Sequence, residues 1–574
     1  MASSRWFMAG FVLSAALVAA IQVSAAARLH WPLPENSLER NGVRQMKTSH
    51  VIMSTAVDPA LPNVGLHPHA AKGLKRRYSG AAIDVLNYHY DNYPTGWNQS
   101  ETDLTPTTVH SASFGQITTL NVDGNVIAQP LMVSNFTMPD NSVHNVLIVA
   151  TGHNSVYAYD AQSYTLLWRR RFGAPQTSGD VGCSDIKPEY GISSTPVIVR
   201  SASNAATMYL VVASEPAPFS FHTKIHAVDL GTGKDIMAPR EIDPRAHLAT
   251  GGQMHFDPQN QWNRASLAYN NGSIYVGIGS HCDNNAGDIS GWIVRYDASN
   301  LKLLDRFNTI EAAAGYELAS VWMADYAPAI SPDGHVYAIT GNGNYDLTKG
   351  HKGYGESVIG LSADLQKTTV DSFTPAEFQS LNDGDTDFGS GGAMLIPTIA
   401  GQVAPPMLVA QGKAGVIYLL DSTHLGGLEG APNNPLQKLD DGACWCGAAY
   451  YVGPSGGMVF YQGNGALKGY SVNTSATPSL TNTINGTSNA GGGGTFPIVS
   501  TNGNTPNTGV VWVIKRAATE QLEAYNAATL GAPIFASNAG NWSNGSRAYL
   551  TPLVANGRVY VGAFKTVTVF GLTD

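Results

Sequence analysis

From about residue 110 onward, short runs of alternating apolar and polar residues recur along the chain. The clearest copy reads Gln129-Pro130-Leu131, then Val146-Leu147-Ile148-Val149-Ala150, then Ser155-Val156-Tyr157-Ala158-Tyr159-Asp160, then Leu166-Leu167-Trp168. Alternation with period two puts one set of side chains on each face of an extended segment, so these runs predict strands. The third run returns as Ile225-His226-Ala227-Val228-Asp229, Ile293-Val294-Arg295-Tyr296-Asp297 and Val416-Ile417-Tyr418-Leu419-Leu420-Asp421. Looser copies are Leu467–Tyr470, Leu522–Asn526 and Val567–Phe570. First strands are predicted near Pro130, Pro196, Leu267, Pro328, Leu395, Tyr450, Pro497 and Pro552. A self-similar unit of ~40–65 residues predicts an all-β, eight-bladed β-propeller rather than a sandwich. The last copy offers three strands before Asp574, and Gly115–Leu120 is the candidate fourth. Pairing the two ends would close the ring by an N-terminal strand and remove exposed edges.

Composition agrees with many short strands joined by turns. Of 574 residues, 61 are Gly and only 13% are charged, against the usual ~25%. The net charge of −9 and the lack of a Lys/Arg-rich run that would track a phosphate backbone argue against nucleic acid as a partner. Arg5, the apolar stretch from Trp6 to about Val23 and the small residues Ser24–Ala27 predict a signal peptide over 1–27. No other segment is apolar enough to span a membrane. The expected location is therefore secreted or extracellular, or periplasmic in a Gram-negative host, with no membrane span after cleavage and a monomeric state. Residues 28–109 carry five prolines between Pro32 and Pro68 and the basic cluster Lys75-Arg76-Arg77, and are expected to form an extended leader or pro-segment. The propeller is expected over 110–574.

Four cysteines, Cys183, Cys282, Cys444 and Cys446, allow three pairings. An exported chain favours disulfides, and Cys444-Trp445-Cys446 is too tight for a zinc ligand pair. Pairing of Cys183 with Cys282 is one hypothesis. Asn-x-Ser/Thr sequons at Asn98, Asn135, Asn271, Asn473, Asn485, Asn541 and Asn544 permit N-glycosylation in a eukaryotic host.

Strand order places candidate chemistry. Connections between second and third strands, and between one blade and the next, emerge on the same propeller face. The first kind carries His153, Glu215, His281, Asn342, Lys413, Gln462, Lys515 and Lys565. The second kind carries Cys183, Arg264, Trp322, Asp385, Asp387 and Cys444. These residues are expected to ring one mouth of the channel.

Val156–Ala161 followed by Leu167-Trp168, and Asp229-Leu230-Gly231-Thr232-Gly233-Lys234, resemble the tryptophan-docking repeat of the quinoprotein dehydrogenases, A-x-D-x-x-T-G-x-x-x-W. The resemblance covers about 110–574. It implies a propeller whose Trp packs on the next blade and whose Asp ties down the turn. It also implies a site for pyrroloquinoline quinone (PQQ) beside a divalent ion, usually Ca²⁺. Glu215 in Ala-Ser-Glu and Asn342 in Thr-Gly-Asn-Gly match the family's metal ligands in position. Asp385 and Asp387 resemble the segment of its catalytic Asp, and Lys413 the residue that contacts the quinone. Trp322 and Arg264 are the further cofactor-binding candidates. The adjacent Cys-Cys pair that covers PQQ in the alcohol dehydrogenases is absent, and so is Cys-x-x-Cys-His, so no fused c-type haem is expected. The implied function is PQQ- and metal-dependent oxidation of an alcohol or sugar. The alternative is a non-enzymatic secreted propeller that binds glycans or proteins. No His-Glu-x-x-His run supports a metal-dependent hydrolase.

Overall fold

A computed structural model describes residues 78–573 apart from 248–251, 285–288, 311–316, 347–352, 367–368, 431–433 and 543–549. The expected signal peptide and the leader up to residue 77 lie outside the described residues, as does the sequon at Asn544. The described chain is almost wholly β, with only short helical turns such as Pro106–Val109 and Phe378–Asp383.

Four-stranded antiparallel units follow one another. The first contains Leu131–Thr137, Val143–Ala150, Ser155–Asp160 and Leu166–Arg171, hydrogen-bonded in chain order. Later units open with the strands Val197–Arg200, Ala268–Asn270, Ala329–Ile330, Ala393–Ile396, Ala449–Gly453, Ile498–Ser500 and Leu553–Ala555. Each opening strand falls on or next to a position expected from the repeat. The unit that opens at Leu553 takes its fourth strand from far upstream, where Phe114–Asn125 pairs antiparallel with Phe564–Leu572. Second and third strands are the apolar heart of each unit. Ser155–Asp160 and Ser273–Ser280 are buried along their whole length. Burial of each Val, Leu or Ile there contributes about 1.5–3 kcal/mol.

The tryptophan-docking contact is present. The Trp168 indole N–H donates to the Leu230 carbonyl at 2.8 Å. Its ring lies over Gly233, where an added Cβ would stand 2.8 Å from the ring. Gly233 has φ +68°. Asp229 accepts from the Thr232 N–H at 2.8 Å and its hydroxyl at 2.7 Å, which fixes the turn that carries Gly233.

Residues 78–109, expected as part of an extended leader, are integrated into the fold. Val85 exchanges backbone bonds with Met132, and Leu86 O accepts from Ile198 N. The Asn92 side chain donates to Tyr269 O, and its carbonyl accepts from Ile330 N. The carbonyls of Tyr93, Thr95 and Gly96 accept from Leu395, Tyr450 and Val499. Asn98 and Tyr90 bond to Val554. Between Val85 and Asn98 the chain therefore ties itself to the first strand of every unit. Sequence reading missed this because the bonds come from the backbone and a few polar side chains, which need no alternation of residue type.

Candidate active-site cleft

The connections after second strands and between units enclose a cleft of about 470 Å³. Its walls are aromatic and cationic. Trp262, Trp322 and Trp445 line it. The Arg264 guanidinium lies 5.6 Å from the Trp262 ring and 5.5 Å from the Trp322 ring. Such cation–π contacts strengthen when desolvated, and Arg264 is only 2% exposed. Its Nε donates to Asp325 at 3.3 Å. Burial outweighs Arg264 in pushing the Asp325 carboxyl up to about 7. The Lys413 ammonium lies 5.9 Å from the Trp322 ring and 5.6 Å from the Trp445 ring.

The floor is polar. Lys413 Nζ pairs with Asp387 at 2.7 Å and Asp385 at 3.0 Å. Asn342 Nδ2 donates to Asp385 at 3.0 Å and Asp283 at 3.4 Å. Ser280 donates to the other oxygen of Asp283. Two buried oxygens, Asn342 Oδ1 and Asp387 Oδ1, have no hydrogen-bond partner. Burial pushes the Asp387 carboxyl up to about 7 in spite of Lys413. Exposed Asp385 goes the other way: Lys413 and Asn342 outweigh its partial burial and hold it below the usual carboxylate range. Burial opposes the charge on Lys413, but Asp387 and Asp385 raise its pKa.

The backbone around the cleft is held in an uncommon conformation. Cys282, Asp283, Leu318, Ala319, Met323, Ala324, Asp325, Glu356 and Asp385 all have φ between +44° and +77°. Non-glycine residues held there cluster at functional sites, where the surrounding structure over-determines them. Two disulfides hold residues that line the cleft. Cys183 and Cys282 are joined, and both line the cleft. Cys444 and Cys446 are joined around Trp445. The Trp445 N–H donates to Gly493 O at 2.8 Å, and the Cys444 and Cys446 carbonyls accept from the Ser390 hydroxyl and the Gly392 N–H, both at 3.0 Å.

The residues singled out in the sequence thus divide. Cys183, Arg264, Trp322, Asn342, Asp385, Asp387 and Lys413 meet in this cleft, with Cys282. Glu215, the expected metal ligand, is not among its lining residues. Its Oε1 instead accepts the Phe219 N–H at 2.7 Å and caps its own loop, and its Oε2 is buried without a partner. A carboxylate that stands before Pro216 serves a turn as readily as a metal. His153 pairs with Glu189 at 2.8 Å. His281 is buried against Trp262 and Tyr190, and burial pushes its imidazole down to about 3, so it stays neutral. Asp283, Trp262, Trp445, Asp325 and Glu356 received no role from the sequence. Asp283 and Trp445 had one signal, adjacency to cysteines. Glu356 had none.

The fold is shared with quinone-dependent alcohol dehydrogenases. The quinohemoprotein alcohol dehydrogenase from Comamonas testosteroni superposes with a TM-score of 0.54 at 15% identity, over 88% of this chain and 84% of that one. A quinohemoprotein alcohol dehydrogenase from Pseudomonas putida HK5 gives 0.55 at 15% identity, over 85% and 80%. A europium-containing methanol dehydrogenase gives 0.54 at 13% identity, over 85% and 98%. The chain therefore has the quinoprotein-like β-propeller fold. No protein-family model and no curated relative matches it.

Proposed function

We propose that the cleft is the active site of a PQQ- and metal-dependent oxidoreductase that oxidises an alcohol or sugar hydroxyl. The observation that carries this reading is the buried, partnerless pair Asn342 Oδ1 and Asp387 Oδ1 beside Asp283 and Lys413, beneath tryptophan walls. The residues fit the cofactors. PQQ is flat and carries three carboxylates, for which the tryptophans offer planar faces and Arg264 and Lys413 offer positive charge. A hard cation such as Ca²⁺ prefers carboxylate and amide oxygens, and Asp283 and Asn342 supply one of each. When bound, the quinone supplies the hydride acceptor and the cation a Lewis acid.

The chain's own residues then have defined work. Asp387, with its carboxyl at about 7, is poised to accept the substrate hydroxyl proton at Oδ1 near neutral pH. Lys413 holds the other Asp387 oxygen and supplies a positive field to charge that develops in the cleft. Asp385 and Asn342 hold Lys413 and Asp283 in place. The wider proposal is an eight-bladed propeller whose ring is closed by Phe114–Asn125, exported to an oxidising compartment that its two disulfides suit.

The test is to add PQQ and Ca²⁺ to purified protein. Quinone absorbance on the protein and dye-linked oxidation of alcohols or sugars are expected. Asp387→Asn should retain PQQ and lose at least 100-fold in kcat. Absence of PQQ binding refutes the reading, and retention of glycans without turnover would favour a binding module instead.

A further inference from the structure

Glu356 is fully buried, yet its carboxyl is half satisfied. Oε2 accepts the Phe388 N–H at 2.6 Å, and Oε1 has no partner. Phe388 directly follows Asp387. The Glu356 backbone is held at φ +51°. Its N–H donates to the Gly341 carbonyl at 3.0 Å, one residue before Asn342. Gly355 lies so close to Gly343 that an added Cβ would stand 2.2 Å from the Gly343 carbonyl oxygen. The chain is thus wedged into a left-handed turn that delivers a carboxyl to the rear of the cleft floor. An apolar side chain would fill the same space without an unpaired oxygen, so packing alone does not account for a glutamate here.

The charged groups that face Glu356 are Asp387, Lys413 and Asp283. Burial first, then the charge on Asp387, push the Glu356 carboxyl up to about 8, above Asp387 at about 7. Burial thus holds both carboxyls above the usual carboxylate range.

We propose that Glu356 is a positioning residue for Asp387, a proton-bearing carboxyl that anchors the 387–390 turn through Phe388 and stays neutral while Asp387 carries the charge. The proposal rests on the reading of Asp387 as the base of the cleft. A neutral Glu356 leaves Lys413 to serve Asp387 and Asp385 alone. An ionised one would compete for the same ammonium.

Glu356→Gln and Glu356→Ala separate the parts. Gln is neutral and can still accept the Phe388 N–H, so it should restore most of the rate that Ala loses. Ala should lose at least tenfold in kcat with KM little changed. The wild-type pH–rate profile should carry an upper inflection that Glu356→Gln lacks. Infrared difference spectra between about pH 6 and about pH 9.5 should show one fewer protonated-carboxyl band titrating in Glu356→Gln. The proposal is overturned if Gln is as impaired as Ala, if Ala is unimpaired, or if the infrared band is unchanged by Glu356→Gln. Should Ala fail to fold, Gln and the infrared spectra still decide. The infrared measurement needs neither cofactor nor substrate, so it judges Glu356 even if no turnover is found and the oxidoreductase reading fails.

Discussion

Replacing Asp387 by Asn should make the protein's stability markedly less sensitive to rising pH. Asp387 is 2% exposed, and its carboxyl sits at about 7 against an ordinary 3.8. An acid whose pKa is raised on folding holds its proton longer in the folded state. Its contribution is therefore fully present below the unfolded value and is lost as pH climbs through the folded value. The window runs from 3.8 to about 7, and at 1.36 kcal/mol per unit the loss is about 4 kcal/mol. Asn keeps the shape and cannot ionise. Lys413 stays protonated throughout the window in both proteins, so the loss of its partner adds only a constant offset. The stability of Asp387→Asn minus that of the wild type should then grow by about 4 kcal/mol between about pH 4 and pH 8. Guanidinium denaturation followed by tryptophan fluorescence at several pH values measures it. Subtraction removes the titrations common to both proteins. Curves that stay parallel to within about 1 kcal/mol would show that the Asp387 carboxyl is not desolvated, and would remove its claim to be a base near neutral pH.

Three further outcomes are expected. Asn342→Ala and Asp283→Ala should each weaken Ca²⁺ or Tb³⁺ binding at least tenfold by calorimetry or luminescence, whereas Glu215→Ala should leave it unchanged. The disulfides should differ in worth because their loops do. Removing Cys183–Cys282, which spans 99 residues, should cost about 5 kcal/mol, and removing Cys444–Cys446, which spans 2, under about 2 kcal/mol. Gly233→Ala should destabilise by about 2 kcal/mol or more in denaturant melts, because it sets a Cβ against the Trp168 ring at a left-handed position.

Strand positions were legible because alternation is local. The runs Ser155–Asp160, Trp292–Asp297 and Val416–Asp421 fall where the apolar period put them. Much of the cleft lining was legible by strand order alone, which sends Arg264, Trp322, Asn342, Asp387 and Lys413 to one face whatever their chemistry. Position along the chain did not bring Glu215 to the cleft, where it is not a lining residue, and a local cap takes one of its carboxylate oxygens. It was silent at Glu356, whose importance comes from burial and from a bond to a residue 32 positions away. Neither leaves a trace in composition or spacing.

The segment from Val85 to Asn98 changes what a local defect means in this molecule. In a simple array of repeats each unit leans on its two neighbours, and damage spreads stepwise. Here one short length of chain holds the leading strand of every unit, from Met132 to Val554. It acts as a drawstring, and tension lost at one knot is felt at all of them. Its partners lie as far as 464 residues downstream, so it can be seated only after the last unit is made. A protease cut or an insertion between Tyr88 and Asn98 would loosen together the units that open at Ala268 and beyond, and with them loops that form the cleft.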